Sequence, residues 1–168
     1  NSSPDGELGF QLRDALKRDP ALIVVDPRQT QLAKRADCWL QLRPGSDDAL
    51  ALAMLHTIIR EGLHDADFVA EWTTGFDDLA ERVASYSPEW AEPITWVPAE
   101  RIREAARLFA KTRPATVEWG CAIEQTPNCI QTVRAVALLP AFQCAAAGTS
   151  GSQFLGVGMG ARVAAMGG

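Results

Sequence analysis

Ala21-Leu22-Ile23-Val24-Val25-Asp26-Pro27 is the stretch on which the fold turns. Five apolar residues in a row, three of them β-branched, fit a strand covered on both faces better than a half-exposed edge strand, and strands of that kind belong to parallel sheets. Pro27 pushes the residue before it out of the helical region, so the run ends with the Asp26 carboxylate at the carboxyl end of the strand. Upstream, Leu8, Leu12 and Leu16 recur at the four-residue spacing of a helix face, which predicts a helix over 8–18 closed by Asp19-Pro20. Downstream, Cys38 to Leu42 reads as a second short strand.

Further along, Pro44-Gly45-Ser46 turns the chain into a helix predicted from Asp47 to Glu61. Ser46 is its N-cap, Asp47 and Asp48 suit the positive end of its dipole, and Gly62 stops it. Ala51, Met54, Leu55 and Ile58 form its buried stripe. Short helices follow over 65–73 and 76–85, packed through Trp72, Phe76 and Leu79. Another starts at Pro98 and runs to Ala110 with Ile102, Ala105, Ala106 and Phe109 inward. Ala115 to Trp119 reads as a third strand ending at Gly120, and a last helix is expected over 128–147 with a kink at Pro140. Strands alternating with helices in this order define an α/β domain with a mostly parallel sheet. Ligands of such sheets bind outside the carboxyl ends of the strands, which singles out the loops after Val25, Leu42 and Trp119.

Composition narrows the function classes. A chain of 168 residues, 47% hydrophobic, has the makings of one domain with a real core. The net charge of -5 and the absence of any basic run longer than a pair such as Lys34-Arg35 argue against a nucleic-acid partner. No apolar stretch reaches the roughly 18 residues of a membrane span, because Pro140 and Gln143 interrupt the segment from Ala135 to Ala147. The expectation is a soluble segment, cytoplasmic or periplasmic, whose start at Asn1-Ser2-Ser3 reads as a cut point in a longer chain. The 4 cysteines (Cys38, Cys121, Cys129, Cys144) are scattered without a C-x-x-C pair and read as reduced, mostly buried thiols. His56 and His64 stand outside any zinc pattern, so no metal ligand and no catalytic residue is assigned.

The three strand-end loops carry a resemblance. Val24-Val25-Asp26-Pro27-Arg28-Gln29-Thr30, Arg35-Ala36-Asp37 and Arg43-Pro44-Gly45-Ser46-Asp47 resemble, in order and spacing, the molybdopterin oxidoreductases of the dimethyl sulfoxide reductase type. That family includes formate dehydrogenases, periplasmic nitrate reductases and acetylene hydratase. The likeness continues through Ile59-Arg60-Glu61-Gly62-Leu63, Asp67-Phe68-Val69 and Trp72-Thr73-Thr74-Gly75-Phe76. It then runs from Val97 to Arg107 and from Trp119-Gly120 to Thr132-Val133-Arg134-Ala135. The stretch from Trp119 to Gln125 leans toward the acetylene hydratase branch.

The resemblance implies a Rossmann-like three-layer αβα domain over 1–147, followed by a Gly- and Ala-rich tail over 148–168 that matches the family poorly. It implies a bacterial enzyme whose molybdenum or tungsten is held by two pterin guanine dinucleotides, with this domain gripping the guanosine end of one of them. Asp26 and Asp47 match acids that approach the nucleoside, Arg28 and Gly45 lie in the same loops, and Gly120 and Gln125 match a segment near the pterin. A carboxylate suits guanine because it accepts from the N1 and N2 donors together. An iron-sulfur cluster and the metal's own protein ligand belong to segments outside this chain. The remaining domains of the parent enzyme, and further electron-transfer subunits, are the implied partners, and the chain alone is expected to be inactive.

Plainer readings stand beside each assignment. Asp26 can close an Asx turn before Pro27, and Asp47 can serve only the helix dipole. Arg28 can face a phosphate or solvent. Trp119 is a packing residue, and Gln125 draws its weight from its place in the matched segment alone. Gly156, Gly158 and Gly160 follow no strand and open no helix, so they read as tail rather than as a phosphate fingerprint. The rival to the enzyme reading is a non-catalytic nucleotide-binding or interaction domain that keeps the fold.

Overall fold

The computed structural model describes residues 14–141. The apolar run becomes strand β1 (Ile23–Val25), and Cys38–Leu40 forms strand β2, parallel to it with Val24 opposite Trp39. A single 3-10 turn at Ala33–Arg35 makes part of the crossover. Seven helices follow in chain order. They are α1 (Asp47–Arg60), α2 (Ala66–Trp72), α3 (Phe76–Val83), α4 (Pro88–Thr95), α5 (Ala99–Lys111), α6 (Cys121–Glu124) and α7 (Cys129–Ala141). Of the helix expected over 8–18, the described part is helical at 14–16. The segment 142–168, with Cys144 and the glycine string, lies outside the described residues.

Helix α1 is the axis of the molecule. It packs against α7, α4, α5 and α3. Ala49, Leu50, Ala51, Ala53, Met54, Leu55, Thr57 and Ile58 are all buried, so little of its length faces water. A helix apolar on most sides is stable only inside a core, and its three alanines let neighbouring backbones come close. Cys38, Leu40 and Leu42 join this core from the strand side, and Ile102, Ala105, Ala106 and Phe109 join it from α5. Each fully buried Leu or Ile here contributes roughly 1.5–3 kcal/mol. At the far end of α1, Arg107 of α5 donates a two-pronged hydrogen bond to Glu61, with Nε–Oε2 at 2.9 Å and Nη2–Oε1 at 2.8 Å. The planar fork matches the carboxylate and ties the two helices in register.

Four expectations need correcting. The segment 115–120 has no regular structure, so the third strand is absent among the described residues. Ala115 and Val117 do pack on the core while Thr116 and Glu118 are exposed, which is strand-like alternation, but the segment has no ladder partner. Among the described residues the sheet is therefore two-stranded, and the helices dominate. Trp72 is 74% exposed, because α2 buries none of its residues and offers the indole no opposing surface. Cys121 is exposed and Cys129 half-buried, whereas Cys38 is fully buried and its burial pushes the thiol pKa up. Pro98 is the N-cap of α5 rather than its first residue.

Helix α4 had no counterpart in the sequence reading, because Pro93 stands within it. Its start is well signalled in retrospect. Ser87 Oγ accepts from Trp90 N at 3.3 Å and Pro88 occupies the first turn, where a missing N–H costs nothing. The helix ends at buried Thr95, whose Oγ1 donates to Ala91 O and accepts from Val97 N. Trp96 then takes the left-handed conformation at φ 63°, which for a residue with a Cβ costs about 1–2 kcal/mol.

The contrast between α1 and α2 gives a direct check on this packing. Leu55→Ala should cost about 2–5 kcal/mol in denaturant unfolding, since Leu55 is wholly enclosed. Trp72→Ala should stay within about 0.5 kcal/mol of wild type. Equal losses at the two positions would contradict the assignment of α1 as the core axis.

Candidate functional site

Because β1 and β2 run parallel, their carboxyl ends open on one edge, and α1 starts from the loop that leaves β2. Asp26 stands at the first of these ends. Its backbone N–H continues the ladder to Leu40 O at 3.2 Å, and its carbonyl accepts from Trp39 Nε1 at 2.9 Å. The carboxylate takes the Arg28 N–H on Oδ1 at 2.7 Å, the Asx turn expected before Pro27, and Arg28 Nε lies 3.9 Å from the same oxygen. Both contacts fall on Oδ1, and the Asp26 side chain is 27% exposed. The Arg28 side chain is 85% exposed. Gln41 Nε2 donates to Pro27 O at 3.1 Å and so stitches the first loop to the second.

The second loop is a tight device. Arg43 N donates to Thr95 O at 2.8 Å, and the Arg43 carbonyl accepts both the Ser46 hydroxyl at 2.7 Å and the Ser46 N–H at 3.3 Å. Ser46 is the N-cap residue of α1 as expected, but its hydroxyl bonds backward to Arg43 and does not cap the helix. Gly45 makes this turn at φ +81°, a conformation that favours glycine, with open space where a Cβ would stand. Asp47 follows as the first helical residue. Burial is the main force that raises its carboxyl pKa, its own backbone N–H opposes the shift, and the neighbouring Asp48 adds to it. The helix dipole alone would lower it.

The third segment meets the second through Asn128, whose Nδ2 donates to Asp48 Oδ2 at 2.8 Å. Gly120 and Gln125 flank the short helix α6 as its two caps. Gly120 has an extended backbone at φ -105°, so any need for glycine there concerns space and not conformation. Gln125 is exposed, and Trp119, 37% exposed, donates Nε1 to Glu124 Oε1 at 3.1 Å rather than packing inward. Asp26 thus follows the end of β1, Gly45 and Asp47 belong to the loop that leaves the same end of β2, and Asn128, three residues past Gln125, bonds Asp48 beside them. Trp39, Gln41, Asp48 and Asn128 are the supports that sequence reasoning missed. The strand register would have revealed Trp39 and Gln41, whereas the Asn128–Asp48 bond spans 80 positions and leaves no local signal.

A separate groove of about 410 Å³ lies between α2 and α3, lined by Val69, Ala70, Thr73, Gly75, Phe76, Asp77 and Asp78. It shares no residue with the strand-end loops. Among the described residues no three His, Cys, Asp or Glu side chains gather as a metal site, and no helix is long and apolar enough to cross a membrane.

Two parallel strands followed by helices make this an α/β segment. The family model for molybdopterin oxidoreductases matches residues 8–168, and the chain belongs to that family. It is 44% identical over 130 residues to acetylene hydratase of Syntrophotalea acetylenica, covering 77% of this chain and 18% of that protein. It is 40% identical over 126 residues to formate dehydrogenase H of Escherichia coli strain K12, covering 75% and 18%. In structure it superimposes on acetylene hydratase from Pelobacter acetylenicus with a TM-score of 0.78 at 42% identity, covering 81% of this chain and 19% of that one. The chain therefore spans about a fifth of the length of these relatives.

Asp47 gives the site its own check. Its folded pKa is raised, so the ionised form costs stability, and that cost appears as pH rises past the unfolded carboxylate value near about 4. Asp47→Asn should leave stability at pH 7 equal or higher, with the difference vanishing below about pH 4. A loss of about 0.3–1 kcal/mol at pH 7 would instead mark Asp47 as a plain helix-dipole residue.

Proposed function

We propose that this chain is the part of a bis-pterin molybdenum or tungsten oxidoreductase that grips the guanosine end of one pterin guanine dinucleotide. What supports the reading is the family match over residues 8–168, together with half-buried Asp47 at the β2–α1 turn and Asp26 at the end of the parallel strand β1. Two carboxylates there suit the N1–H and N2–H donors of guanine or a ribose diol, and would discriminate against adenine, which offers no such pair. Arg28 and Gly45 belong to the same loops, Arg28 as an exposed cation for phosphate and Gly45 as the residue that keeps the turn open. Gly120 and Gln125, joined to the edge through Asn128, extend the surface toward the pterin.

The residues fit the nucleotide end of the cofactor rather than its metal. When bound, the cofactor supplies the redox chemistry at its metal centre. The protein groups on this edge bind and orient the nucleoside and exclude water from it. On this reading the two described strands are one border of a Rossmann-like three-layer domain over 1–147, with 148–168 as its tail. Other segments of the parent enzyme complete the sheet and supply the metal ligand and any iron-sulfur cluster. The chain alone is then inactive, and its partners are the remaining domains of a bacterial enzyme together with its electron-transfer subunits.

Thermal-shift titrations of the chain with GDP and ADP test the reading. GDP should stabilise more at matched concentration, with Kd on the order of 0.1–1 mM because only a fragment of the cofactor is engaged. Equal shifts for the two nucleotides would remove the guanine assignment.

A further inference from the structure

Trp96 stands in an unusual position. It is 68% exposed, so it gains little from burial, yet its backbone holds the left-handed conformation at φ 63°, which a bulky residue rarely adopts. Its ring is in contact with Arg43, whose guanidinium carbon lies 5.8 Å from the ring centroid. The residue before Trp96 is also tied to Arg43, since Arg43 N donates to Thr95 O at 2.8 Å. The other end of Arg43 is fixed by Ser46, which donates to the Arg43 carbonyl from both hydroxyl and N–H. Strain persists where surrounding structure enforces it, and it gathers where geometry has a task.

The task follows from what Arg43 would do without the ring. Arg43 and Asp47 flank a single tight turn, and an arginine arm released there can fold onto the carboxylate beside it. In the structure it does not: the guanidinium lies over the Trp96 ring, and among the described residues no ion pair joins Arg43 to Asp47. We propose that Trp96 is a positioning residue that holds Arg43 away from Asp47 and so keeps the carboxylate free for the guanine base. The proposal rests on the guanine reading above and deepens it. Trp96 touches no ligand in this account. It acts through Arg43, and it sets base preference by preventing an internal ion pair from competing with the ligand's N–H groups.

Three variants of the 168-residue chain separate this role from a structural one. Trp96→Gly relieves the left-handed backbone, so the fold should be kept, while the ring is lost. Its GDP-over-ADP preference should fall by about two- to fivefold, the scale of an exposed cation–π contact. The Asp47 carboxyl, followed by carbon-detected NMR titration without nucleotide, should titrate at lower pH than in wild type. Trp96→Phe should keep most of the preference, and Arg43→Gln placed in the Trp96→Gly background should restore it. Unchanged preference and an unchanged Asp47 midpoint in Trp96→Gly would overturn the proposal, as would failure of the Arg43→Gln rescue. Absence of GDP preference in wild type would sink the guanine reading, while a lowered Asp47 midpoint in Trp96→Gly would still establish the clamp.

Discussion

Everything described depends on the burial of helix α1. Its middle is enclosed by α3, α4, α5 and α7, so it cannot tilt or slide without opening the core. Its two ends are tied down by different chemistry. Glu61, just past the last turn, is held by the Arg107 fork, and that pairing keeps the Glu61 carboxyl below the usual carboxylate range. Asp48 in the first turn is held by Asn128. A helix locked in this way presents Asp47 at a fixed place beside the strand edge.

The edge itself is built by the same economy of parts. Parallel pairing of β1 and β2 brings two loops to one side, and each loop closes on its own backbone through the Asx turn of Asp26 and the Arg43–Ser46 bonds. Helix α4 matters here less for its own burial than for where it ends. Thr95 and Trp96 reach the second loop from outside and hold Arg43 at both main chain and side chain. Rigid elements thus position loop acceptors at the carboxyl ends of the strands, where ligands of α/β sheets generally bind.

Much of this was legible in the sequence, for reasons that differ from element to element. The Ile23–Val25 strand announced itself through β-branched residues bounded by Asp26-Pro27, and α1 through its turn residues and dense apolar pattern. The consecutive loops carried the family. What escaped were features that depend on tertiary partners. Ala115 to Trp119 has strand-like alternation, and only the structure shows that it lacks a ladder neighbour among the described residues. Trp72 has the right spacing to pack but nothing to pack against. Helix α4 was hidden by Pro93, and with it went Trp96 and its hold on Arg43. Candidate residues could be placed by motif, whereas the raised Asp47 pKa follows from burial that no local pattern encodes.

The central claim is that the carboxyl edge of the two parallel strands is the nucleotide-binding surface. Backbone-amide NMR mapping of GDP binding to the chain tests it most directly, because it reports position as well as affinity. The account expects shifts to concentrate at Asp26–Arg28 and Gly45–Asp48, with smaller ones from Gly120 to Asn128. Shifts confined to the groove of Val69, Thr73, Gly75 and Phe76, with the strand edge silent, would contradict it.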